Sequence, residues 1–284
     1  MLTKALNYWS CPGGLEGTLS VPEFFRLAKS CGFSAVEVAV GAPGSAIGTD
    51  STESQCHQIL DEARSAGVDV LSVASGLYWG RNLGSATENE RKGALEDLCA
   101  MLRITGWLKA KTLLTIPGAV DVFFMPERPS QPYSFVWEHA AEGIRAALPT
   151  AAECGVRMGI ENVWNKFLLS SHETAQFIDQ FESPWVGAYV DVANLLPFGH
   201  AEDWIRHLGH RIVGVHFKDF RRAVGNAEGF VDLLEGDVNW PEVVSALRDV
   251  EYDGPCVAEM IPCYKHFPLV RVQNASNAMD AILG

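Results

Sequence analysis

The chain has 284 residues, 48% of them hydrophobic, and its 22 basic and 35 acidic side chains leave a formal net charge of −13. That length suits either two modest domains or one large α/β barrel. The acidic balance argues against a phosphate polymer or an anionic membrane as partner, because a broad negative field repels both. No stretch reaches the roughly 18 apolar residues of a membrane span, and the N-terminal residues lack a signal-peptide core. The expectation is a cytoplasmic protein that engages neither membrane nor nucleic acid. Seven cysteines with no Cys-x-x-Cys pair predict neither a disulfide framework nor a thiolate metal site.

Strands are predicted at 6–9, 35–39, 68–73, 112–116, 156–160, 186–190, 212–217 and 255–260, each short and apolar on both faces, as strands between helix layers are. Helical patterns follow them at 21–31, 52–66, 88–109, 134–154, 172–182, 201–208, 240–250 and 268–282. Three joints read alike. At Gly32, Gly67 and Gly155 an amphipathic run closes on a glycine that can take a left-handed cap, and a β-branched run follows at once. Cys31 and Cys154, just before two of these glycines, read as small buried hydrophobes. Ser20, Ser171, His200 and Asn239 read as helix starts.

Eight βα units joined by right-handed crossovers predict one (β/α)8 TIM barrel spanning residues 1–284. No Gly-x-Gly-x-x-Gly follows a strand and no P-loop occurs, which removes the usual reason to prefer a nucleotide-binding sheet. The irregular segment 117–132, with Val122-Phe123-Phe124-Met125 and three prolines after it, reads as an active-site loop.

In such a barrel the chemistry sits where strands end. The fifth strand runs into Glu161, the sixth into Asp191, the seventh into His216 and the eighth into Glu259, at intervals of 30, 25 and 43 residues. Neighbouring strands thus deliver three carboxylates and one imidazole to one rim. A lone carboxylate at a strand end is more often a helix cap or half of a salt bridge, and a lone histidine is more often packed in a core. Four in succession point instead to a divalent cation, which is an economical partner for charges at the ends of apolar strands. Oxygen-rich ligation with one nitrogen suits Mn²⁺, with Mg²⁺, Co²⁺ or Zn²⁺ as alternatives.

The segments Gly159-Ile160-Glu161-Asn162-Val163-Trp164-Asn165, Val190-Asp191-Val192-Ala193-Asn194, Val215-His216-Phe217-Lys218-Asp219, Gly236-Asp237-Val238-Asn239-Trp240 and Ala258-Glu259 resemble the xylose-isomerase-like barrels. Within that superfamily the chain is similar to the sugar-phosphate isomerases/epimerases and the ketose 3-epimerases. The resemblance implies a divalent metal held by Glu161, Asp191, His216 and Glu259, with Glu161 and Glu259 doubling as acid and base. A cation on the C2 carbonyl and adjacent hydroxyl of a ketose acidifies the carbon-bound proton by stabilising an enediolate. Two carboxylates on opposite sides of the substrate fit epimerisation, so the expected activity is that of an isomerase, a ketose or ketose-phosphate 3-epimerase.

The chain departs from the free-ketose enzymes at two points. The loop after the fifth strand lacks their further glutamate, reading Asn165-Lys166-Phe167, and Asn194 stands where they place a histidine. Asn194 can donate to a substrate hydroxyl. Lys166, Lys218 and Arg222, with Arg221, suggest a phosphate end, against the alternative that Lys218 pairs with Asp219 or with a neighbouring acid and both arginines are solvated. Arg222 is the first candidate among these, because six residues beyond the metal histidine the family also uses an arginine. Trp79 and Tyr8-Trp9 bring aromatics to the same rim, although Tyr8 reads rather as packing, and Glu37, placed at the end of the second strand, is a candidate partner for a substrate hydroxyl or a structural acid. Inosose-type dehydratases and hydroxypyruvate isomerases share the barrel and stay as alternatives. A non-catalytic sugar-binding barrel and a homo-oligomer are further expectations to test.

Overall fold

The computed structural model describes residues 2–284. Its strands are β1 (Thr3–Asn7), β2 (Ala35–Val40), β3 (Asp69–Ser75), β4 (Thr112–Thr115), β5 (Arg157–Glu161), β6 (Val186–Asp191), β7 (Ile212–Phe217), β8 (Asp219–Phe220), β9 (Phe230–Val231) and β10 (Pro255–Ala258). The helices are α1 (Val21–Ser30), α2 (Glu53–Ala66), α3 (Glu88–Trp107), α4 (Tyr133–Cys154), α5 (Ser171–Asp179), α6 (Ala201–Leu208), α7 (Trp240–Asp249) and α8 (Pro268–Leu283). Strands β1 to β7 and β10 are parallel neighbours and close on themselves, because β1 pairs with both β2 and β10. With one helix after each, this is the expected (β/α)8 barrel. β8 and β9 form an antiparallel pair outside it, a feature with no counterpart in the sequence reading.

Local chemistry accounts for most element ends. Gly67 (φ 74) and Gly155 (φ 65) take the left-handed cap as expected, each returning its N–H to carbonyls of the preceding turn. The start of α5 is one residue earlier than the sequence suggested: Ser170, not Ser171, is the cap, and it forms a reciprocal box with Glu173. His200 precedes α6 but caps nothing with its side chain, and Cys31 and Cys154 are half-buried rather than buried. The first strand also differs from the expected 6–9. The Asn7 side chain accepts the Trp9 N–H at 2.7 Å, which folds Tyr8–Ser10 into a 3-10 turn and ends β1 at Asn7. The other predicted strands match to within about two residues, the scatter usual at element ends.

Strand alternation decides what fills the barrel. Ala5, Ala35 and Val257 form a small apolar cluster with Leu71, separate from the large core between sheet and helices. Above it lies Tyr189, fully buried, with Gly214 and Gly159 against its ring and Gly187 close by against Val213. A methyl on Gly214 would stand 2.4 Å from the Tyr189 ring and one on Gly159 3.0 Å from it, while a methyl on Gly187 would meet Val213 at 2.3 Å. These glycines let a large ring cross the barrel and carry its hydroxyl to the far wall. Replacing Gly214 with alanine is expected to destabilise the fold by about 1–3 kcal/mol through overpacking, measured as a lower urea midpoint with an unchanged slope.

Candidate active site

Glu161 closes β5, Asp191 closes β6, His216 is the penultimate residue of β7 and Glu259 immediately follows β10. The register pairs Asp191 directly with His216. All four side chains are buried, and one donor atom from each lies within 4.8 Å of all the others. From His216 Nδ1 the carboxylate oxygens of Glu161, Glu259 and Asp191 stand at 3.4, 3.6 and 4.0 Å. The sequence expectation that these four residues meet is therefore matched by their placement.

Each group is turned to leave an oxygen or nitrogen toward a common centre. Asp191 Oδ1 accepts the backbone N–H groups of Ala193 and Asn194, both at 2.9 Å, and Asn162 grips the Asp191 backbone by donating to its carbonyl and accepting its N–H. Asp191 Oδ2 is left without a hydrogen bond, as is His216 Nδ1, although both are buried. Asp191 Oδ2 has only the Lys218 ammonium beside it and His216 Nδ1 only carboxylate oxygens at 3.4 Å and beyond, an arrangement costly to bury unless something further binds there. Three carboxylates and one imidazole nitrogen fit a divalent cation, so this cluster could hold one. Lys218, two residues beyond His216, stands 3.2 Å from Asp191 Oδ2 and contacts Glu259 Oε2. Its pairing partners are these two acids and not Asp219.

Of the two readings of Glu37, partner of a substrate hydroxyl or structural acid, the geometry favours the second. It lies in the third position of β2, not at the strand end, and is fully buried, away from the large cavity beside the cluster. Its carboxylate accepts from Asn7 Nδ2 at 2.7 Å and from the Tyr189 hydroxyl at 2.6 Å, and meets His216 Nε2 at 2.8 Å. Full burial among these three partners keeps it from a substrate hydroxyl. Its work is on the histidine: holding Nε2 fixes the ring so that Nδ1 faces the three acids. Burial alone would disfavour charge on either partner. The charge on each favours it on the other, so the Glu37 carboxyl stays below its ordinary range and His216 is held well above its own.

Glu161 and Glu259 of the cluster line the floor of a cavity of about 950 Å³, with Asp191 and His216 behind them. Asn194, Lys218 and Trp79 line it, as do Tyr8 and Trp9. Tyr8 is also packing, edge-on to Phe24 with its hydroxyl donating to the Leu19 carbonyl. Phe123 and Phe124 of the 117–132 segment form part of the wall, in line with an active-site loop. Three of the four basic residues expected at the substrate do not line the cavity. Lys166, in a left-handed backbone conformation (φ 55), turns to Asp121 at 2.5 Å. Arg222 is exposed and points to His200 Nδ1 at 3.2 Å, while Arg221 pairs with Glu235. Charge counting had placed these cations near the rim, but local acids and carbonyls aim them elsewhere.

Sequence reasoning missed several contributors. Asp219 is a buried clamp, accepting from the backbone N–H groups of Phe220, Leu234 and Val238 and from Trp240 Nε1. That explains why the motif needs Gly236, where a methyl would fall 2.1 Å from the Asp219 carboxylate. Asn7 and Tyr189 were missed as well. The signal available for them was the two-residue strand period, which puts Tyr189 on the same face as Asp191.

Comparison with known proteins gives the family. The model of the xylose isomerase-like TIM barrels matches residues 25–279. The chain belongs to that family. Among its relatives by sequence, it is 27% identical over 272 residues to the "Putative L-ribulose-5-phosphate 3-epimerase SgbU" of Escherichia coli K12, covering 94% of this chain and 93% of the other. A D-psicose 3-epimerase solved in the presence of D-fructose superposes with a TM-score of 0.79 at 17% identity, over 100% of both chains. The IOLI protein with a bound zinc atom superposes with a TM-score of 0.78 at 12% identity, over 99% of this chain and 98% of that one. At those identities the superpositions speak for the fold. Relatives of this barrel by sequence and by fold thus include sugar epimerases, which are isomerase-class enzymes. No helix among the described residues is long and apolar enough to cross a membrane.

If Glu37 sets the state of His216, removing its charge must move the imidazole. In the metal-free protein, Glu37→Gln takes away the anion that stabilises the imidazolium, so His216 is expected to lose its proton at lower pH than in the parent. Nitrogen-15 NMR titration of the ring checks the direction.

Proposed function

We propose that the protein is a divalent-metal-dependent epimerase of a ketose, in which Glu161 and Glu259 take a proton from one carbon and return one to it. The observation that carries this reading is the convergence of three carboxylates and His216 Nδ1 within 4.8 Å at the floor of a cavity. In this reading Glu161, Asp191, His216 and Glu259 hold the cation, with Mn²⁺ the ion proposed and Mg²⁺, Co²⁺ and Zn²⁺ accepted by the same donors. A bound cation would supply stabilisation of the negative charge that develops on the substrate oxygens.

The remaining work falls to the chain itself. Glu161 and Glu259 come from strands separated in the barrel by β6 and β7, so their carboxylates approach the space above His216 from two sides. A proton removed by one and replaced by the other inverts a carbon, which supports epimerisation over transfer to a neighbouring carbon. Their environments differ in the way such a pair requires. Burial, with Glu259 and Asp191 close by, pushes the Glu161 carboxyl up to about 7 against the pull of the neighbouring His216 imidazole. Glu259 lies below its ordinary range: burial opposes that, but the Lys218 ammonium outweighs it. Asn194, at the cavity edge with its side chain donating to the Asn162 carbonyl, is placed to orient a hydroxyl. A cytoplasmic location and a small-molecule sugar as the sole partner complete the proposal.

Glu161→Gln and Glu259→Gln are each expected to slow exchange of the substrate's carbon-bound proton with deuterated solvent by at least about 10²-fold. Proton NMR of a ketose incubated with the Mn²⁺-loaded protein reads this, and exchange retained in both variants would refute the assignment. Metal binding is expected to be pH-dependent. Glu161 and His216 hold protons that a cation must displace, so Mn²⁺ affinity rises as pH is raised from about 5 to about 7. Calorimetry in buffers of different ionisation enthalpy should record the released protons.

A further inference from the structure

The cavity has two unlike halves. Its floor carries Glu161, Glu259, Lys218 and Asn194, and its outer wall is aromatic, built from Trp9, Trp79, Phe123, Phe124, Trp164 and Phe230. Five of these rings touch in sequence. Trp79 meets Phe124 at 5.1 Å between centroids, Phe124 meets Phe123 at 5.2 Å, Phe123 meets Trp164 at 6.0 Å and Trp164 meets Phe230 at 5.1 Å. The arc runs from the loop after β3, across the 117–132 segment, to the loop after β5 and on to β9. Phe123 and Phe124 are 56% and 49% exposed, an unusual position for two adjacent phenylalanines, and contiguous exposed apolar surface beside a cleft marks ligand contact.

The charges of the wall are already committed. Lys218 is spent on Asp191 and Glu259. Arg271, the other cation lining the cavity, donates to Asp232 at 2.7 Å and lies over the Tyr264 ring. Lys166 and Arg222 face away. Among the described residues, both cationic side chains lining the cavity are already paired, so a phosphate would meet no free lysine or arginine there. What the outer wall offers is a set of flat π faces, and these pack against the C–H faces of a sugar ring. The volume, about 950 Å³, lies near the top of the range for pockets that enclose drug-sized ligands and exceeds what one simple ketose fills.

We propose that the outer half of the cavity is a subsite for a second sugar ring, so that the substrate is an uncharged ketose glycosylated at the end remote from its carbonyl. This rests on the reading of the floor as the site of ketose epimerisation. With the carbonyl end at the acids, the far end of the chain of carbons lies against the aromatic arc, where a hydroxyl gains little and a glycosyl ring stacks.

Three ketoses that share one reacting end test it: fructose, fructose 6-phosphate and palatinose, which carries a glucosyl group on O6. With Mn²⁺-loaded protein in deuterated solvent, kcat/KM for exchange of the carbon-bound proton is expected to be highest for palatinose and lowest for fructose 6-phosphate. Phe123→Ala and Phe124→Ala, both at exposed positions, are each expected to reduce the ratio of kcat/KM for palatinose over fructose by about three- to tenfold, through KM. Preference for fructose 6-phosphate, or a ratio unmoved in both variants, overturns the subsite and leaves the epimerase reading standing. Should none of the three exchange, the epimerase reading falls, and tryptophan fluorescence decides the subsite by itself. Saturable quenching at lower concentration with palatinose than with fructose supports it; equal quenching overturns it.

Discussion

One buried imidazole holds carboxylates on both of its edges. His216 meets Glu37 through Nε2 and faces Glu161, Asp191 and Glu259 through Nδ1. Burying so many acids at the mouth of an apolar barrel is tolerable only if each finds a partner of opposite charge or a donor. Glu37 finds three, and two of them, Asn7 and Tyr189, come from strands on either side of the barrel wall. Tyr189 reaches it because glycines at 159 and 214 make room for the ring. The spacing of small residues deep in the barrel is thus connected, through a phenol and a carboxylate, to the orientation of the ring that the acids surround.

The polar order is confined to one level. Below it the barrel is filled by Ala5, Ala35 and Val257, and above it the cavity wall turns aromatic, three residues beyond Glu161 on the loop after β5. Glu161 is followed two residues later by Val163 and then Trp164, whose indole N–H donates to the Asn194 carbonyl. That bond ties a wall residue to the loop leaving Asp191, so floor and wall are positioned together. Low dielectric around a few charges strengthens every interaction among them and penalises any left unpaired.

The sequence made the barrel and the four converging residues legible for the same reason. Glu161, Asp191, His216 and Glu259 each interrupt an apolar strand at its end, and strand ends are where a βα repeat announces itself. Glu37 is harder to read because it sits inside a strand, where its neighbours Val36 and Val38 are ordinary core and only the two-residue alternation separates it from them. Tyr189 looks like any core aromatic until the glycines beside it are seen in space. Lys166, Lys218 and Arg222 show the limit of counting charges. Position along the chain brings a cation to a loop, but direction depends on a left-handed residue or a nearby acid, and Lys166 and Arg222 point away from the cavity on that account. Asp219 was visible as a motif residue, yet its four donors are spread from 220 to 240 and only the folded loop gathers them.

Beyond the strand ladder that joins β1 to β10, one hydroxyl ties the seam of the barrel at the level of the acids. Ser10 Oγ donates to the Ala258 carbonyl at 3.1 Å and accepts the Met260 N–H at 2.8 Å, bracketing Glu259 between two bonds to the opposite end of the chain. Contacts so distant in sequence form late. Glu259 stands at the end of the strand that closes the circle, so the four-residue cluster and the barrel are completed by the same docking event: closure is a single act between the two ends of the chain, and the cluster inherits its timing.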